Sequence, residues 1–67
     1  MDWRERVVED PKILVGKPVI KGTRISVDLV VGLLARGYTV PQILDQYDHV
    51  TAEDVQACLA CAAEPHP

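Results

Sequence analysis

Residues 39–63 read "TVPQILDQYDHVTAEDVQACLACAA" and contain two helix starts twelve residues apart. Each is a threonine followed three positions later by a side chain able to reach back to it: Thr39 with Gln42, and Thr51 with Asp54. In such a capping box, side chain and backbone satisfy each other's otherwise unpartnered N–H groups in the first turn. Pro41 falls within the first turn after Thr39, where a missing N–H removes no helical hydrogen bond. Val40, Ile43, Leu44 and Tyr47 then recur at the i, i+3, i+4, i+7 spacing of an amphipathic helix, which predicts a helix over 40–47. A further helix is expected over 52–63, with Val55, Leu59 and Ala62 as its buried face and Pro65 ending it. Two helices joined by the short turn Asp48-His49-Val50 have the lengths and spacing of a helix-turn-helix.

Working towards the N-terminus, Ser26 is placed to cap an earlier helix over 26–36, with Asp28 in its first turn, where the helix dipole favours an acid. Gly37 stands where a helix end wants a left-handed residue, and Tyr38 is placed to fold back on Leu33. This helix has almost no polar face, since Val27, Leu29, Val30, Val31, Leu33, Leu34 and Ala35 surround it. A helix that is apolar all round is buried all round. A chain of 67 residues has too little material to cover both sides. A second copy of the chain is therefore expected against Val27, Val30, Val31 and Leu34, making a homodimer.

Residues 6–25 have a different texture. Short β-branched or apolar runs, Val7-Val8, Ile13-Leu14-Val15 and Val19-Ile20, alternate with turn signals at Pro11, Gly16-Lys17-Pro18 and Gly22. They predict a small two-stranded element. The expected fold is thus mainly α, a short N-terminal β-element followed by a three-helix core containing a helix-turn-helix, in one domain over 1–67.

No apolar run approaches the ~20 residues that a membrane helix requires. The opening "MDWRERVVED" is charged and lacks the apolar centre of a signal peptide. The expectation is a cytoplasmic protein with no membrane contact.

The stretch Gly16–Thr23, "GKPVIKGT", resembles a shuffled phosphate-binding loop. In a true one the lysine follows the second glycine, whereas here Lys21 precedes Gly22, and Pro18 removes a needed N–H. A tight turn with positive-φ glycine is the better reading. Cys58 and Cys61 form a C-x-x-C pair towards the end of a helix, not at the electropositive start that lowers a thiol pKa. A zinc site needs about four ligands, and only His49 and His66 are left to join them. The cysteines are expected to be small packing residues, and His49 a polar surface residue in the inter-helix turn. Asp45 and Asp48 have no nucleophile or base near them in sequence. No catalytic residue, metal site or cofactor is expected, and the chain is expected not to be an enzyme.

Charge is unevenly spread within a net of −3. Residues 12–24 carry Lys12, Lys17, Lys21 and Arg24 and no acid, while Gly37 to Pro67 has no Lys or Arg at all. Glu53 and Asp54 open what would be the reading helix of a helix-turn-helix, and they would repel a phosphate backbone. If nucleic acid is bound, contacts are expected at Lys17, Lys21, Thr23 and Arg24, with Arg24 best suited to a bidentate phosphate contact. A solvated basic loop is the plainer alternative.

From about Arg6 to Ala63 the sequence resembles the bacterial and archaeal family catalogued as domain of unknown function 433. The resemblance rests on Gly16-Lys17-Pro18-Val19-Ile20 and Gly22-Thr23-Arg24-Ile25. It rests also on the later spacing of Gly37, Ile43-Leu44, Tyr47, Thr51 and Glu53-Asp54-Val55. It implies a short β-element before a homeodomain-like three-helix core, usually paired as a dimer. It also implies an antitoxin of the VapB type, often encoded beside a small PIN-like nuclease. Ser26 and Asp48 stand where the family often has proline, and Cys61 where an aromatic is common. The chain ends soon after Cys61, so any grip on a toxin is expected to use the folded surface. Two functions follow: an antitoxin-like regulator that binds a PIN-like toxin, with operator DNA as a further candidate partner, or a dimeric protein-interaction module without nucleic-acid binding.

Overall fold

A computed structural model describes residues 2–12 and 16–64. The extended run expected at Ile13-Leu14-Val15, the terminating Pro65 and the candidate ligand His66 lie outside the described residues. A 3-10 turn, Trp3–Glu5, is followed by strands β1 (Val7–Glu9) and β2 (Pro18–Ile20) and helices α1 (Val27–Ala35), α2 (Val40–Gln46) and α3 (Ala52–Ala63). The strands pair antiparallel, with Val7 opposite Ile20, Val8 opposite Val19 and Glu9 opposite Pro18. Proline is tolerated as the first residue of β2, where the ladder loses least from its missing N–H.

The local signals in the sequence account for the helix ends. Ser26 Oγ accepts the Leu29 N–H at 3.0 Å. In both capping boxes the reciprocal bonds form: Thr39 N–H to Gln42 Oε1 at 2.8 Å and Thr51 N–H to Asp54 Oδ2 at 3.0 Å, each answered by the threonine hydroxyl. At the end of α1, Gly37 takes φ +96°. Its N–H donates to Leu34 O, and the Tyr38 N–H donates to Leu33 O. This pair of bonds is a Schellman motif, satisfying two carbonyls that the helix leaves open.

The core lies where α1 and α3 cross, roofed by the two-stranded sheet and by α2. Ile20, Val30, Ile43, Val55 and Cys58 are fully buried in it. Each such aliphatic side chain contributes roughly 1.5–3 kcal/mol by leaving water. Two sequence expectations fail here. The buried face of α3 is Asp54, Val55, Ala57, Cys58 and Cys61, while Leu59 is 39 % exposed and Ala62 lies at the surface. In α1, Val27 and Val30 point into the chain's own core at 4 % and 0 % exposure, so neither is available to a second copy. Val31 and Leu34 are half-buried against that core. Two of the four residues expected at a partner contact are thereby taken into the intrachain core.

Candidate nucleic-acid interface

The basic segment is held by a compact turn. The Thr23 N–H donates to Ile20 O at 3.0 Å, and Gly22, third in this turn, takes φ +80°. A left-handed residue at that position is the signature of a type II turn. A Cβ at Gly22 would meet no atom within 4 Å, so torsion and not space calls for glycine. The chain then folds back, with the Ile20 N–H on Ile25 O at 2.9 Å and a bridge between Val19 and Ser26. On the other side, the Lys21 N–H donates to Arg6 O at 2.8 Å.

Thr23 is part of this framework. Its hydroxyl donates to Ile20 O at 2.8 Å and accepts the Ile25 N–H at 3.0 Å. The one hydroxyl proton is thereby committed, and Thr23 shapes the turn where the sequence suggested a phosphate donor. Lys17, Lys21 and Arg24 are all exposed, at the two ends of β2 and just past the turn. Among the described residues none of the three enters a salt bridge, whereas Arg4 and Arg6 do.

A cleft of about 370 Å³ separates the Gly22–Ile25 loop from the α2–α3 connection. Thr23, Arg24 and Ile25 form one wall, and Gln46, Tyr47, Asp48 and His49 the other. His49 therefore faces the basic loop, from a part of the chain that sequence alone places in an isolated turn. Lys17 and Lys21 stand outside the cleft lining, and Asp45 is not part of it either.

The acidic start of α3 is engaged elsewhere. Arg6 Nη1 donates to Asp54 Oδ1 at 3.2 Å and Arg6 Nη2 to Glu53 Oε2 at 2.8 Å. Asp54 is buried to 7 % exposure, with its other oxygen capping the helix. Sequence reasoning missed Arg6 because its partners lie 47 and 48 residues away. A second long-range tie joins the N-terminus to the end of α3: Trp3 Nε1–H donates to Glu64 Oε1 at 3.3 Å, and the Arg4 guanidinium lies 4.5 Å from the Trp3 ring centre. The latter is a cation–π contact.

Cys58 and Cys61 sit in the core as free thiols. Burial, with the charge of Asp54 as a lesser cause, pushes the Cys58 thiol from 9.0 up to about 12. Burial likewise raises Cys61, with Glu9 next in effect. Both therefore stay protonated at neutral pH, the opposite of an activated pair. Among the described residues no three His, Cys, Asp or Glu side chains are grouped to hold a metal ion. No helix among them is long and apolar enough to cross a membrane.

An uncharacterized protein of Sinorhizobium fredii, y4eO, is 36 % identical over 64 residues, which is 96 % of this chain but 28 % of that protein. The chain thus spans little more than a quarter of that relative's length. An uncharacterized protein of Archaeoglobus fulgidus is 75 % identical over 24 residues, covering 36 % of this chain and 67 % of its own. No solved structure matches the sequence at a significant level. Residues 7–62, from the first strand to nearly the end of α3, match the family described as protein of unknown function (DUF433), and the chain belongs to that family.

Proposed function

We propose that this chain is an antitoxin-like regulator of a type II toxin–antitoxin pair. In this reading it is a homeodomain-like homodimer that binds a PIN-like nuclease through its folded surface and operator DNA through Lys17, Lys21 and Arg24. The observation that carries the DNA part is the contrast among its cations: Arg4 and Arg6 enter salt bridges, while Lys17, Lys21 and Arg24 enter none among the described residues and stand exposed at the two ends of β2 and just past the turn. The outer face of α3 offers Glu53, Gln56 and Leu59 instead, a surface suited to protein and not to phosphate. The nuclease part rests on the family resemblance.

Co-expression with the adjacent open reading frame, followed by affinity capture, tests the nuclease partner. Recovery of a stoichiometric complex is expected, and its absence sinks that part. For DNA, three phosphates neutralised per protomer predict a log-affinity against log-salt slope of about −2.7, doubled in a dimer. Changing Lys17, Lys21 and Arg24 to alanine should abolish binding and flatten the slope, whereas Glu53→Ala should leave binding equal or stronger.

A dimeric interaction module without nucleic-acid binding is the second reading, favoured by Leu29 and Leu59, at 40 % and 39 % exposure. Salt-independent capture of a protein partner with no DNA binding would select it.

A further inference from the structure

The outward side of α1 carries Asp28, Gly32 and Arg36 in a row spaced four residues apart. Together with Leu29 and Leu33 they border a shallow groove of about 100 Å³. Gly32 has no explanation within its own chain. It lies mid-helix, where glycine is the poorest helix former after proline, and a Cβ built on it meets nothing within 4 Å. Alanine would fit there and hold the helix better. Beside it Leu29 is 40 % exposed. Asp28 and Arg36, opposite in charge at the two ends of the row, form no salt bridge among the described residues.

We infer that Gly32 is the crossing point of two α1 helices related by a two-fold axis, so that the occupant of this groove is a second copy of the chain. With the two helices antiparallel about that axis, the Asp28 end of one lies beside the Arg36 end of the other. Each lies about 6 Å along the helix from the crossing, at 1.5 Å per residue. The contact is self-complementary: two reciprocal ion pairs flank a glycine that lets the backbones approach, with Leu29 alongside. Rows spaced four residues apart on two helices pack into each other's grooves at roughly −50°. A parallel arrangement would set Asp28 on Asp28 and Arg36 on Arg36, so charge favours the antiparallel one. The inference rests on the homodimer reading above and moves its interface from Val27 and Val30, which are buried within the chain, to the outward side of the same helix.

Sedimentation equilibrium of the full chain over micromolar concentrations tests it, with far-UV circular dichroism as the folding control. Asp28→Arg alone and Arg36→Asp alone each place like charges together and should raise the dimer dissociation constant roughly tenfold or more. The double exchange should restore it to within about threefold, although it opposes the helix dipole at both ends. Gly32→Ala should raise the melting temperature of dilute protein while weakening the dimer, opposite movements that a purely intrachain role would not produce. A wild-type dimer indifferent to all four variants would overturn this surface and leave the homodimer reading standing. A wild-type monomer would overturn both. A monomer whose capture of the adjacent gene product is lost in the same variants would give the groove to that partner and overturn the second copy.

Discussion

Arg6→Ala should destabilise the protein by about 2 kcal/mol, because one guanidinium, on the residue between the 3-10 turn and β1, ties the N-terminal segment to the start of α3. The larger part comes from Asp54, whose side chain is 10 % exposed and whose Oδ1 accepts from Arg6 at 3.2 Å. A hydrogen bond to a charged group is worth about 1.5–3 kcal/mol, and the lower end applies because the Arg6 side chain remains 34 % exposed. The bond to Glu53, 2.8 Å long but with a carboxylate 69 % exposed, adds no more than about 0.5 kcal/mol. For a domain of this size, 2 kcal/mol lowers the melting temperature by roughly 10 °C. Thermal and urea unfolding of wild type, Arg6→Ala, Asp54→Asn and the double variant form a cycle that isolates the pair. Its coupling should be about 1.5 kcal/mol, while Arg6→Ala with Glu53→Gln should show little. A coupling below about 0.5 kcal/mol for Arg6 and Asp54 would refute the reasoning, leaving the burial of Asp54 to its capping bonds alone.

Cys58 makes stability fall in alkali. Its folded pKa of about 12 lies above 9.0, so the unfolded chain loses the proton first. Stability is then full below pH 9 and falls by up to about 1.4 kcal/mol per pH unit towards 12. Urea titrations should show that slope reduced in Cys58→Ala, and native Cys58 should resist alkylation at pH 8. Thr23→Val should lower stability by about 1 kcal/mol through its lost turn hydrogen bonds and leave the salt slope of any DNA binding unchanged. A change in that slope would return Thr23 to the phosphate contacts. Gly22→Ala should cost about 1 kcal/mol by chemical denaturation, from torsion alone, since a Cβ there meets no atom.

What was legible in the sequence was governed by atoms three or four residues apart. The boxes at Thr39–Gln42 and Thr51–Asp54, the cap at Ser26, the Schellman end at Gly37 and the glycine turn at Gly22 are all local hydrogen-bond arrangements. Their residues leave the backbone few alternatives wherever the element packs. Among candidate site residues, Lys17, Lys21 and Arg24 were legible as an acid-free run, and they remain exposed in the fold. For Thr23 the residue type was informative and its role was not. A hydroxyl beside a turn can serve backbone or ligand, and only the position of Ile20 O and the Ile25 N–H settles which.

Facing was the property the sequence left open. Alanine and cysteine make up much of α3, so hydrophobic contrast around its circumference is weak, and several apolar stripes fit the letters equally well. The arrival of β1, the Trp3 turn and the Arg6 guanidinium selects the stripe through Asp54, Cys58 and Cys61 and turns Leu59 outward. The same holds for α1, apolar on nearly every side, where the sheet and α3 claim Val27 and Val30 and leave Asp28, Gly32 and Arg36 outside. Local hydrogen bonding decides where a helix begins and ends from its own residues. Burial is a contest for area among elements distant in sequence, so the choice of buried face waits on the tertiary fold.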